Sequence, residues 1–341
     1  MGIIRTVRGD INPRSIGNSM IHEHIIFDIT LPEKRNQSKT IISMNQRWQI
    51  DYLSNQDPSN SFQEDITTAA DELRYFSSDG GSLIVDQSVF GLNRSPLKLL
   101  QISKLSGVHI VAAAGSYTEH YLPQEFLEMD IASLTERFIS EVNLGIEGTS
   151  IKAGIIGEIG CSWPITTFEK KALFAAASAA YKTGVALSIH PGRSKDACFE
   201  ILKIIEPTGI NPDRVILCHM DRTYPDGNGI RQLLELGINA EWDFFGIEQS
   251  YYWMGNVELP NDFARLKQIN AFADLGYENQ ILVSHDICTK TRMRSFGGHG
   301  YGHILRNGPE LFKRLGIDES LFEQLIKINP RETLAFKGDS I

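Results

Sequence analysis

Short runs of apolar and β-branched residues recur along the chain, each ending in polar residues or glycine and followed by a longer helix-like stretch. Eight such runs stand out: residues 19–28 (SMIHEHIIFD), 81–87 (GSLIVDQ), 108–116 (VHIVAAAGS), 151–160 (IKAGIIGEIG), 185–190 (VALSIH), 215–219 (VILCH), 238–243 (INAEWD) and 281–286 (ILVSHD). Between them, residues 168–183, 196–208, 227–236 and 262–275 read as amphipathic helices, and 167–177 is rich in strong helix formers. Gly209 and Pro212 punctuate one return from helix to strand. This rhythm is the βα alternation of a parallel sheet. Eight repeats predict an α/β chain closed into a (β/α)8 TIM barrel, a single domain over residues 1–341. No Gly-x-Gly-x-x-Gly follows the first run, so a dinucleotide-binding sheet loses its main support, and Gly297-Gly298-His299-Gly300 after the last run does not fit that role.

The stretch 31–77 is long for one βα connection. It predicts an insertion after the first strand, with a loop and an extra helix or two. It carries Trp48 and Tyr52 and is placed to cover one barrel mouth, or to be a surface insertion with no catalytic part. The opening residues Met1-Gly2-Ile3-Ile4-Arg5-Thr6 match a loose myristoylation pattern, but they read more simply as a strand turning at Gly9-Asp10.

Charge narrows the partners. The chain has 33 Lys+Arg against 42 Asp+Glu, a net charge of −9. That balance argues against a nucleic-acid footprint and against recruitment to an anionic membrane. No apolar run approaches the ~20 residues of a membrane helix, and no signal-peptide core opens the sequence. The four cysteines, Cys161, Cys198, Cys218 and Cys288, have no CxxC spacing and are too few for a disulfide framework, which places the protein in the reducing cytosol. The expected partner is a small-molecule substrate, and a homodimer is compatible with the sequence.

The chemistry concentrates at the strand ends. His22-Glu23-His24 lies in an apolar strand, where positions i and i+2 face one side, so two imidazoles point together. Later runs end in Glu158, His190, His219 and Asp286, at the edge where barrel active sites are built. Any one of these could be a satisfied core or capping residue; as a set they read as metal ligands. Four imidazoles and two carboxylates suit zinc, manganese, iron or cobalt better than magnesium or calcium. Six are too many for one catalytic zinc. They fit two divalent transition-metal ions sharing a bridge. Arg193 and Arg222 follow two of these strand ends and could hold an anionic group, or could instead be salt-bridged to Asp196, Asp221 or Asp243. Tyr117, Trp163, His299 and Tyr301 also follow strand ends and could line a pocket.

The motifs HEH, GEIGCSWP, IHPGR, CHMDRT, HDICTKTR and GGHGY, in this order over nearly the whole chain, resemble the phosphotriesterase-related branch of the amidohydrolase superfamily, its animal proteins in particular. The resemblance implies a binuclear centre: His22, His24 and Asp286 on a buried metal, His190 and His219 on an exposed one, and Glu158 as the bridging carboxylate. Zinc is the first expectation for both ions. It further implies amide hydrolysis of small N-acyl amino or sulfonic acids such as N-acetyltaurine by hydroxide formed at the metals, with Asp286 accepting the proton. A lactonase or a promiscuous carboxylic or phosphoric ester hydrolase is the alternative, and a non-catalytic metal-dependent binding protein is a third reading. Two departures separate the chain from organophosphate-hydrolysing relatives. Glu158 stands where those carry a carboxylated lysine, with Lys152 six residues earlier, and Asp243 is followed by Phe244 rather than histidine.

Overall fold

The computed structural model describes residues 2–53, 57–249, 252 and 254–336. Its centre is a sheet of eight parallel strands arranged in chain order: β1 (Asn18–Glu23), β2 (Gly81–Asp86), β3 (His109–Ala114), β4 (Ile155–Gly160), β5 (Leu187–His190), β6 (Val215–Leu217), β7 (Asn239–Trp242) and β8 (Ile281–Val283). Each expected run contains one strand of this sheet. β4 and β5 start later than their runs and keep Glu158 and His190 within the strand, whereas β6 and β8 stop before His219 and Asp286. A helix follows every strand: α1 (Ile66–Ser78), α2 (Pro96–Ser106), α3 (Ile131–Asn143), α4 (Thr167–Thr183), α5 (Lys195–Ile205), α6 (Ile230–Leu234), α7 (Asp262–Ala273) and α8 (His303–Leu315). The ring closes between β8 and β1, where the His22 N–H donates to Ser284 Oγ at 3.0 Å and the Asp286 N–H donates to the His22 carbonyl at 3.1 Å. The result is the TIM barrel expected from the sequence.

Side chains alternate as a pleated strand requires. Leu83, Val85, Val111, Ala113, Ile155, Ile216 and Leu282 fill the barrel interior, while Ile84, Ile110, Ala112, Ile156, Leu217 and Val283 pack outward in the core shared with the helices. Two strands break the alternation. On β1 the pairing slips between Met20 and Glu23, and on β4 between Ile156 and Ile159. A bulge inserts one residue and re-aims those after it. His22 therefore joins the interior although its neighbour Ile21 is already there, and Glu158 turns inward two residues after the outward Ile156. Gly157 sits in the β4 bulge with φ 124°, and a Cβ there would lie 2.1 Å from the Ser188 carbonyl oxygen.

The N-terminal hairpin pairs Ile4–Thr6 with Gly9–Ile11 and seals the N-terminal end of the barrel, Ile4 packing in the interior cluster. Its turn is Val7-Arg8; Gly9, expected in the turn, instead opens the returning strand. α4 starts with a reciprocal cap between Thr166 and Glu169 and ends at left-handed Gly184, which accounts for its sharp boundaries. Of the insertion at 31–77, the part from Ile66 is α1 itself. Before it come a 3-10 turn (Pro32–Lys34), a helix (Arg47–Leu53) and a short strand (Phe62–Gln63) paired with Phe27–Asp28; residues 54–56 lie outside the described residues. Arg47 donates to the Phe296 and Thr291 carbonyls, and Asp51 accepts from Thr291 Oγ1, so this helix is anchored on the loop after β8. Among the described residues, no helix is long and apolar enough to cross a membrane.

Candidate metal centre

Four strand ends and the closing loop bring His22, His24, Glu158, His190, His219 and Asp286 into one buried cluster at the C-terminal edge of the barrel. Glu158 is its centre. Its Oε1 lies 3.4 Å from His24 Nε2, and its Oε2 lies 2.8 Å from His190 Nδ1, 3.4 Å from His219 Nε2 and 3.7 Å from His22 Nε2. Asp286 Oδ1 stands 3.2 Å from His24 Nε2 and 3.9 Å from His22 Nε2. Two donor triads result, His22–His24–Glu158 and Glu158–His190–His219, joined through the same carboxylate. His219 and Asp286 reach the cluster through left-handed backbone, at φ 58° and 47°, which swings both side chains in as their strands end.

The rings are held from behind. His22 Nδ1 faces Glu241 Oε2 at 3.1 Å, His24 Nδ1 faces Ser88 Oγ at 3.0 Å, and His219 Nδ1 faces Asp243 Oδ1 at 2.8 Å. Such partners fix the ring and leave Nε2 for the cluster. His190 is reversed: its Nδ1 faces Glu158 and its Nε2 lies 3.0 Å from Arg222 Nη2. The His22 Nε2 atom is buried and has no hydrogen-bond partner, although it points between Glu158 and Asp286. An orphaned donor atom between two carboxylates, in two triads of histidine and carboxylate, is a donor set that fits a metal ion. The electrostatics agree. Burial alone would lower the His24 pKa, but hydrogen bonds to Asp286 and Glu158 push it up to about 9. Burial drives His190 down to about 3 against the pull of Glu158. Burial opposes ionisation of Glu158 and Asp286, yet the surrounding histidines hold both carboxyls below the ordinary range. The two buried carboxylates are thus held ionised, with His24 drawn toward its charged form and His190 toward its neutral one.

The cluster forms the floor of a pocket whose walls include Tyr117, Tyr121, Arg193, Arg222, Phe244, Tyr252, Cys288 and Arg292. Tyr117 stands edge-on to His190 at 5.3 Å between ring centres. Arg193 is exposed at the rim, its Nε donating to Tyr252 Oη at 2.9 Å and its Nη2 contacting Met254 Sδ. Arg222 is buried behind His190 and donates to the Pro191 carbonyl at 2.7 Å. Among the described residues Arg222 forms no salt bridge to Asp196, Asp221 or Asp243: Asp221 pairs with Arg265, and Asp243 holds His219. His299 does not line this pocket. Its loop folds back on itself, the Gly298 and Gly300 N–H groups donating to the Met293 and Arg292 carbonyls, so its ring packs against His285 and His303 and lines a separate cavity beside the Arg47–Leu53 helix. Tyr301 is likewise buried, donating to the His24 carbonyl at 2.7 Å. Arg292, Ser88, Glu241 and Tyr252 are not found by reading strand ends. Glu241 alone carried a signal, as a carboxylate inside an apolar strand two residues before Asp243.

A sequence profile of the Phosphotriesterase family matches residues 2–334. The chain is 36% identical to the N-acetyltaurine hydrolase of Homo sapiens, over 98% of this chain and 99% of that protein. Among solved structures, a resiniferatoxin-binding protein from Rhodobacter sphaeroides superposes with a TM-score of 0.91 at 30% identity, covering 98% of this chain and 95% of the other. The lactonase Lmo2620 from Listeria monocytogenes superposes with a TM-score of 0.82 at 26% identity, covering 98% and 99%.

Proposed function

Because this chain belongs to the Phosphotriesterase family, whose enzymes are metal-dependent hydrolases, we propose that it cleaves the amide bond of small N-acyl amino or sulfonic acids, N-acetyltaurine being the first example. The observation that carries the reading is Glu158, central to four histidines and shared by two donor triads. His22, His24 and Asp286 would hold one divalent transition-metal ion and His190 and His219 a second, with Glu158 between them and zinc the first expectation. When bound, such a pair supplies hydroxide at neutral pH and polarises a carbonyl oxygen.

The chain's own groups do the rest. Asp286, beside His24, is the proton acceptor and passes that proton to the leaving amine. Tyr117 and Phe244 give the acyl and chain carbons an apolar wall. Arg193 receives the carboxylate or sulfonate at the rim, where its guanidinium is aimed by Tyr252. A small-molecule substrate is the only partner this chemistry needs, and four free cysteines suit the cytosol.

The aromatic wall of the pocket also suits a lactone or ester, the alternative reading, and the Listeria lactonase shares the fold. Turnover of N-acetyltaurine, an N-acetyl amino acid panel, an amino-acid amide and a γ-lactone, after reconstitution with zinc, manganese or cobalt, separates these. The amide reading expects the anionic N-acyl compounds to be the best substrates by kcat/KM. A clear preference for the lactone would replace it, and a metal-loaded protein that turns over none would make it a binding protein.

A further inference from the structure

We propose that Glu23, the middle residue of the His-Glu-His run, is a positioning residue for Asp286. This rests on the reading above, in which Asp286 accepts the proton. Alternation on β1 turns Glu23 away from the two histidines, and the structure shows what it meets instead. Its fully buried carboxylate crosses the β1–β8 seam into the turn that carries Asp286. Oε1 accepts from Ser284 Oγ at 2.8 Å, from the His285 N–H at 3.0 Å and from His285 Nδ1 at 2.8 Å. Oε2 accepts from the Ile287 N–H at 3.0 Å.

These bonds bracket Asp286 on both sides. Asp286 has φ 47°, a left-handed conformation that an L-residue other than glycine holds only when its surroundings impose it. The peptide N–H before it and the one after it both end on the Glu23 carboxylate. Its own N–H ends on the His22 carbonyl, and its carbonyl accepts from Arg292 Nη1 at 2.8 Å. His22 and Glu23 are adjacent, so one short stretch of β1 supplies a ring of the cluster, the acceptor for the Asp286 N–H and the carboxylate that fixes the turn. An acceptor-only group is required. Four donors converge on Glu23, and a glutamine amide would present N–H to at least one of them.

The test is a double-mutant cycle on the metal-loaded enzyme with N-acetyltaurine as substrate. Glu23→Gln is expected to lower kcat roughly ten- to hundredfold with KM changed less than about threefold, and to have less than about a twofold effect in an Asp286→Asn background. A residue that merely stabilises the barrel would cost the same factor in both backgrounds, and that result overturns the proposal. Metal release to a chelator gives a second readout: Glu23→Gln should lose one of its ions about tenfold faster than wild type, since Asp286 is no longer aimed at its site. Release at the wild-type rate overturns the proposal. Should Glu23→Gln not fold, Glu23→Asp keeps the acceptor charge on a shorter stem and is held to the same two criteria. Wild-type kcat in Asp286→Asn alone would reject Asp286 as the proton acceptor, a failure distinct from that of Glu23, which is then decided by the metal release.

Discussion

Glu158 carries more of the site than any other side chain, since both donor triads need its charge. Glu158→Gln keeps the size and removes that charge, so bound metal and kcat should both collapse, as elemental analysis and a turnover assay of one preparation would show. Lys152 lies before β4, at the end of the barrel away from the cluster, and Lys152→Ala should leave both near wild type. Arg193 is tested by selectivity. A charge-assisted hydrogen bond contributes ~1.5–3 kcal/mol, so Arg193→Ala should lower kcat/KM roughly ten- to hundredfold for an anionic N-acyl substrate. A neutral ester of similar size should be almost unaffected. Equal losses on both would remove Arg193 as the anion contact. At this scale the sequence is legible where two histidines share one face of a strand, as His22 and His24 do, and where a run ends in a histidine or carboxylate, as with Glu158, His190, His219 and Asp286. Arg292 and Tyr252 were not legible, because they come from loops whose return to the pocket depends on the closed barrel. His299 also follows a strand end yet lines a different cavity, because sequence position does not decide which layer a residue enters.

Among the elements, the eight runs and the main helices could be read from apolar spacing, but the details that aim the site could not. Strict alternation would put Ile21 and His22 on opposite faces. The bulge on β1, and its counterpart at Gly157 on β4, are products of register with the neighbouring strands and leave little trace in one sequence. The left-handed turns at His219 and Asp286 are hidden in the same way. Another such device lies behind the pocket. Fully buried Arg265 of α7 donates to Asp221 at 2.9 Å and to Asp262 at 2.7 Å, tying α7 to the loop after β6. Arg265→Leu would leave buried Asp221 without its counter-charge, while Asp262 keeps His303, and should cost about 3–5 kcal/mol in denaturant unfolding. The pH sign follows from Asp262. Burial opposes its ionisation, but His303 and Arg265 outweigh that and hold its pKa below the ordinary carboxyl value. Its stabilisation is present above the unfolded pKa of about 4 and is lost as pH falls below it. Asp262→Asn should therefore flatten the acid limb of the stability profile, and an acid limb as steep as wild type would contradict this.

For the molecule as a whole, the barrel separates stability from chemistry. The N-terminal hairpin seals one end, the interior layers fill the middle, and the histidine–carboxylate cluster occupies the other end under walls made by loops. The Arg47–Leu53 helix is fastened to the loop after β8 rather than laid over the cluster, and it caps the separate cavity that holds His299. A barrel is legible from the count and spacing of its repeats, and a histidine–carboxylate cluster from the coincidence of these residue types at one edge. The substrate is written less plainly, since it depends on the loop-built walls. We propose that two metal ions share Glu158 in the working enzyme. Elemental analysis of wild-type protein at full N-acetyltaurine turnover decides it: about two transition-metal ions per chain are expected, and full activity with one ion or none would exclude a shared Glu158.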